Sequence, residues 1–192
     1  LGLHHYRNLY DPTQIIADML AAISRAKDEV VDEARYAELA EAMLGKAATA
    51  EEREAAERAA EVARVYAAYE GLKRQAQCVD FGDLISMPVR LMERDSEIRA
   101  HLQAQYDHGL VDEYQDVNRS SVRLLTALRS DGRNLWAVGD AKQSIYRFRG
   151  ASSFNMTRFG ASDFAGGARA LQRVALAEVG LGELIARARA AA

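Results

Sequence analysis

Val111-Asp112-Glu113-Tyr114-Gln115-Asp116 and, further along, Val138-Gly139-Asp140-Ala141-Lys142-Gln143-Ser144-Ile145-Tyr146-Arg147-Phe148-Arg149-Gly150-Ala151 decide how this chain folds. Each follows a short apolar run that reads as a strand, Gly109 to Asp112 and Asn134 to Gly139, and a helical stretch from about Asn118 to Ser130 lies between them. Strand, helix, strand at this spacing is a βαβ unit, which makes the two strands parallel. Ligands of open α/β sheets bind beyond the carboxyl ends of such strands, and here both ends carry acids.

An Asp-Glu pair at a strand end can give one carboxylate to a magnesium ion and the other to the water that attacks a terminal phosphate. Asp112 is the candidate magnesium residue, because magnesium takes one or two carboxylates together with phosphate oxygens and waters. Glu113 is the candidate base that orients and deprotonates the water. Each has a plainer reading: a solvent-facing strand terminus for Asp112, a surface salt bridge for Glu113. The second stretch gathers an amide, two rings and several cations in one loop. Tyr146 and Phe148 fall two apart, as do Arg147 and Arg149, so an extended loop would send rings and guanidinium groups to opposite sides. Rings interleaved with arginines are the composition of a single-strand stacking site, and core packing of the rings is the alternative. Gln115, Asp116 and Asp140 are placed to tie the two stretches together by hydrogen bonds. Trp136 reads as a core residue of its strand and His108 as a structural histidine.

These residues resemble the UvrD/Rep-type superfamily 1 DNA helicases, whose second and third motifs have the forms Asp-Glu-aromatic-Gln-Asp and Val-Gly-Asp-x-x-Gln-Ser-Ile-Tyr-x-aromatic-Arg-Gly-Ala. With Lys142 and Arg147 the third motif is most similar to that of the helicase-nuclease subunits. Asp80-Phe81-Gly82-Asp83-Leu84 is similar to the Asp-Phe-x-x-Leu element that returns the family's chain from a helical insertion to the ATPase core. The resemblance implies an α/β fold with a partial RecA-like parallel sheet: residues 1–78 as an all-helical insertion subdomain, and residues 79–192 as the second half of the first RecA-like ATPase domain. It implies ATP and Mg2+ as cofactors. Gln143 would contact the terminal phosphate and report its presence, and Arg149 would link the motif to the ATP site. Tyr146 and Phe148, with Arg147 beside them, would meet the bases of single-stranded DNA tracked from 3′ to 5′. The implied setting is DNA repair or recombination, with a helicase-nuclease partner subunit as a further implied partner. Two stretches depart from the pattern: His108 and Gly109 stand where the family has apolar residues, and Leu171 to Glu178 does not match the family's next motif.

With 25 Lys and Arg against 28 Asp and Glu, the net charge of −3 argues against a chain that coats nucleic acid non-specifically. Distribution says more. From Ala141 to Gly160 lie Lys142, Arg147, Arg149 and Arg158 without an acid, whereas Glu51 to Glu70 is rich in glutamate and reads as a solvated face. The single cysteine, Cys78, excludes an internal disulfide, fits a reducing compartment and reads as a buried small hydrophobe. His4, His5, His101, His108 and Cys78 lack zinc-ligand spacing. No apolar run approaches bilayer thickness and nothing resembles a cleavable signal, so a cytoplasmic protein without a membrane partner is expected.

Asp11-Pro12-Thr13-Gln14 reads as a helix start with Asp11 as N-cap, followed by a buried stripe of Ile15, Ile16, Met19, Leu20 and Ile23. A second helix is expected from near Asp32 to Met43 or Leu44, stopped by Gly45. Thr49-Ala50-Glu51-Glu52 is a capping box for a long alanine-rich helix ending at about Gly71. Asp80 reads as the cap of a helix through Leu91, kinked at Pro88, and Ser96 to Tyr106 should form another.

No Gly-x-x-x-x-Gly-Lys-Ser/Thr occurs: the one Gly-Lys pair, Gly45-Lys46, lacks both the leading glycine and the hydroxyl. The expectation is an internal piece of a larger motor protein, inactive alone and prone to self-association through the unpaired sheet edge at Leu135 to Val138. The alternatives are a catalytically silent DNA-binding scaffold and a helical protein-interaction module ending near Gly71.

Overall fold

Capping residues set the helical frame. Asp32 accepts the Arg35 N–H at 2.9 Å and starts α2 (Glu33–Lys46). Thr49 and Glu52 form the reciprocal capping box that starts α3 (Ala50–Ala76), satisfying N–H groups that the first turn of a helix leaves unpaired. Thr49→Ala should therefore cost about 1 kcal/mol in urea unfolding, with the fold unchanged. Neither glycine stops its helix: α2 runs through Gly45 to Lys46, and α3 continues past Gly71 to a left-handed cap at Gln77 (φ 51°). A glycine inside a helix costs only about 1 kcal/mol, and the turn after Gly71 carries Lys73, buried among carboxylates that repay continuation.

These elements belong to a computed structural model that describes residues 2–6 and 12–140 together with Asn155, Arg158, Phe159, Asp163 and Phe164. Asp11 lies outside the described residues. Along α1 (Pro12–Asp28), Met19, Ile23 and Ala26 are buried against Val62 and Tyr66 of α3, with Ile15 and Ala22 at the margin. Ile16 and Leu20, expected in the same stripe, are 57% and 42% exposed. The five positions span a wider arc than one facing helix covers, and the line through 15, 19, 22, 23 and 26 takes the contact. Tyr66 closes the core by donating from its hydroxyl to Val31 O at 3.1 Å and receiving Tyr36 edge-on.

The glutamate-rich stretch is not uniformly solvated. Glu61 is 2% exposed and accepts the backbone N–H groups of His4, His5 and Tyr6, which pins the 2–6 segment to α3. Burial alone would raise its pKa, yet those three donors hold it below the ordinary value. Cys78, expected inside, is exposed where the chain leaves the left-handed cap of α3.

Asp80 and Asp83 exchange backbone-to-carboxylate hydrogen bonds of 2.9 and 3.0 Å, but Gly82 rather than Asp80 is the N-cap, so α4 (Asp83–Arg94), which contains Pro88, begins two residues later than expected and runs past Leu91. Asp95 caps α5 (Ser96–Ala104), two residues shorter than expected. Then β1 (Gly109–Val111), α6 (Arg119–Leu128) and β2 (Leu135–Ala137) form the βαβ unit. The strands are parallel with Gly109 opposite Leu135, Leu110 opposite Trp136 and Val111 opposite Ala137. Trp136 is half-buried rather than core, and its partner Leu110 is 74% exposed, so this face of the pair is open. Among the described residues the chain is mostly helical with this two-stranded parallel sheet, and no helix is long and apolar enough to cross a membrane.

Candidate nucleotide site at the strand ends

The two strand ends are joined beyond the sheet. Val138 N–H donates to Val111 O and Tyr114 N–H donates to Val138 O, each at 2.9 Å. Asp112 follows β1 directly, is exposed, and accepts the Glu113 N–H on Oδ1 at 2.9 Å. Glu113 adopts a left-handed conformation (φ 51°, ψ 42°), a backbone state that costs a non-glycine residue about 1–2 kcal/mol. That turn lets the chain drop two residues inward while both carboxylates stay at the surface. Strain of this kind concentrates where a side chain must be aimed.

The inward residues anchor the turn (a single 3-10 turn, Tyr114–Asp116). Tyr114 is 1% exposed and meets the Phe159 ring edge-on at 5.0 Å, with Phe164 behind it at 4.8 Å from Phe159. Burial, followed by the nearby Asp163 charge, pushes its hydroxyl up to about 12, so it stays protonated. Gln115, also 1% exposed, donates from Nε2 to Glu113 Oε2 and accepts the Asp140 N–H on Oε1 at 2.9 Å. The expected tie between the stretches thus runs through Gln115 and the Asp140 backbone, while Asp116 is exposed at the end of the turn. Asn118 caps α6 through Ser121 N–H at 3.0 Å and donates to Asp28 Oδ1 at 2.9 Å, fixing the crossover helix against α1.

The structure therefore brings together Asp112, Glu113, Gln115 and Asp140. Gln143, Tyr146, Arg147, Phe148 and Arg149, with Lys142, lie outside the described residues. His108 is exposed just before β1. The chemistry of Asp112 fits Mg2+: an exposed carboxylate, with waters and phosphate oxygens to complete the shell. Another grouping of acids, Glu70, Asp80 and Asp83, lies close enough to share a cation but already receives two ammonium groups, Lys27 and Lys73.

Residues 4–163 match the family described as the UvrD/REP helicase N-terminal domain. This chain belongs to the UvrD/Rep helicase family. Relatives include the ATP-dependent DNA helicase PcrA of Leuconostoc citreum, 35% identical over 152 residues, which cover 79% of this chain and 18% of that protein. PcrA of Bacillus subtilis is 33% identical over 162 residues, 82% of this chain and 20% of that protein. A Staphylococcus aureus PcrA is 40% identical over 98 residues, 51% of this chain and 13% of that protein. The chain thus spans about a fifth of the length of the first two relatives.

Motif reading did not identify the ion cluster of Lys27, Glu70, Lys73, Asp80 and Asp83. Asp80-x-x-Asp83 signals reciprocal capping, but its two lysines come from α1 and α3, at separations without a local pattern.

Proposed function

We propose that this UvrD/Rep-family chain supplies part of an ATP-driven motor that moves on single-stranded DNA. Asp112 would hold Mg2+ against the nucleotide phosphates, and Glu113 would orient the attacking water and take its proton. When bound, the metal neutralises phosphate charge. Gln143 would read the terminal phosphate and Arg149 would connect it to the rest of the motif. Tyr146, Phe148 and Arg147 would engage the strand by stacking and phosphate contact, without base-edge readout. Residues 79–192 would form the second half of a RecA-like ATPase domain and residues 1–78 its helical insertion. A 3′ to 5′ direction, a role in DNA repair or recombination, a helicase-nuclease partner subunit and a cytoplasmic location complete the reading. Its main support is the carboxyl end of the parallel strand pair: Asp112 and Glu113 are presented together to solvent, and a buried amide links Glu113 to the backbone of Asp140.

The decisive experiment measures single-strand-stimulated ATP hydrolysis in a polypeptide that joins this chain to a phosphate-binding loop. Hydrolysis that requires Mg2+ and falls in Asp112→Ala is expected; a folded, DNA-binding polypeptide without turnover would favour the silent scaffold. This chain alone should show no hydrolysis above background, because its sequence contains neither the phosphate-loop lysine nor the glycine-rich cradle. Phe148→Ala should weaken single-strand binding by about 1–3 kcal/mol with little sequence preference. An unchanged affinity with folding intact would assign that ring to the core. The open strand pair also suggests self-association, tested by sedimentation at several concentrations with amide exchange on Asn134 to Val138.

A further inference from the structure

We infer that Gln115 is a positioning residue that couples the orientation of the Glu113 carboxylate to the backbone at Asp140; this rests on the reading of Glu113 as the hydrolytic base. The amide is 1% exposed and both of its ends are engaged, Nε2 by Glu113 Oε2 and Oε1 by the Asp140 N–H at 2.9 Å. Glu113 itself is exposed and stands on a left-handed backbone, so little but this hydrogen bond restricts where its carboxylate points. A solvated glutamate has several rotamers of similar energy, and a base is effective only within hydrogen-bond reach of its proton.

The other end of the amide gives the link its consequence. Asp140 is the residue from which the sequence runs on to Gln143, so Gln115 ties the Glu113 carboxylate to the backbone at the start of that stretch. Because the side-chain amide is planar and buried, its two ends are not aimed independently, and the position of the Asp140 N–H sets the direction from which Nε2 meets the Glu113 carboxylate.

The test compares three variants of the polypeptide that joins this chain to a phosphate-binding loop. Gln115→Met keeps the shape of the side chain and removes both hydrogen bonds. Gln115→Glu keeps an acceptor for the Asp140 N–H and, when ionised, offers Glu113 no donor. Both should lower the DNA-stimulated kcat by about 10- to 100-fold, the scale of a misplaced catalytic group, with KM for ATP and affinity for single-stranded DNA unchanged. A purely structural amide would instead alter stability or KM and leave kcat of the folded variant intact. Should Gln115→Met fail to fold, Gln115→Glu carries the test. Unchanged kcat in either folded variant, alongside an inactive Glu113→Gln, would overturn the positioning role and leave the site reading standing. Full activity in Glu113→Gln would overturn the site reading itself.

Discussion

Glu113→Gln, in a polypeptide that joins this chain to a phosphate-binding loop, is expected to lower kcat for ATP by about 10²- to 10⁴-fold, the usual contribution of a positioned general base. That is roughly 3–5 kcal/mol of transition-state stabilisation. The substitution preserves size and an oxygen that can accept from Gln115 Nε2, so the turn and its buried anchors Tyr114 and Gln115 should be undisturbed. What the amide cannot do is accept the proton of the attacking water. KM for ATP should therefore change little, because the phosphates are bound by other groups. Asp112→Asn should fail differently, by raising the Mg2+ concentration needed for half-maximal rate, since a neutral oxygen holds a hard cation less well than a carboxylate. Steady-state kinetics over a magnesium series separates the two. A Glu113→Gln rate close to that of the unsubstituted protein would remove this residue from the chemistry, and an unchanged magnesium dependence in Asp112→Asn would remove the metal from Asp112.

How much of this site could be read beforehand depended on the range of the interactions involved. That Asp112 and Glu113 follow the carboxyl end of a parallel strand pair was legible because a βαβ unit forces its strands parallel, and the register of Leu110 with Trp136 puts both carboxyl ends side by side. The capping box at Thr49 and Glu52 was legible for a similar reason: its partners lie three residues apart and their chemistry is local. Gly45 and Gly71 misled because a local preference of about 1 kcal/mol is outweighed by tertiary packing. Cys78 was misread from residue type, though the left-handed cap before it turns the chain outward. The left-handed backbone at Glu113 had no signal at all, since it is imposed by the burial of Tyr114 and Gln115 immediately after it. Long-range ion pairs were the least legible, as the lysines of the buried cluster show.

That cluster supplies the largest expected effect on stability. Lys27, 4% exposed, places Nζ 2.6 Å from Asp80, 2.7 Å from Asp83 and 2.8 Å from Glu70. Lys73 lies 2.9 Å from Glu70 and 3.2 Å from Asp80 and also bonds Asp83, while the Tyr69 hydroxyl donates to Asp80 at 2.9 Å. Even the backbone is fitted to it: a Cβ on Gly82 would come within 2.8 Å of Lys27 Cδ. Such a network adds modest net stability when whole, but removing Asp83 takes a hydrogen-bonded carboxylate from both buried ammoniums, and breaking buried ion pairs costs about 3–5 kcal/mol. Asp83→Ala should lower the unfolding free energy by that amount, a large share of the roughly 5–15 kcal/mol of a typical domain. Asp83→Leu combined with Lys73→Met should cost less than the two single changes together, because neither partner is then left alone. The pH dependence follows from the same contacts. Burial alone would raise the Asp80 and Asp83 values, but the lysine ammoniums and other donors outweigh it and hold both carboxyls below their ordinary 3.8. Their contribution is therefore complete above about pH 4 and is lost as pH falls through the depressed values. For Lys27, burial alone would lower the pKa, and the bonds to Asp80, Asp83 and Glu70 outweigh it, so its contribution is complete below about pH 10 and lost as pH rises through the elevated value. Urea unfolding should thus show an acid loss of stability that is smaller in Asp83→Ala than in the unsubstituted chain. Equal stability of Asp83→Ala at pH 7, or an unchanged acid limb, would mean that the α1, α3 and α4 contacts hold without these charges.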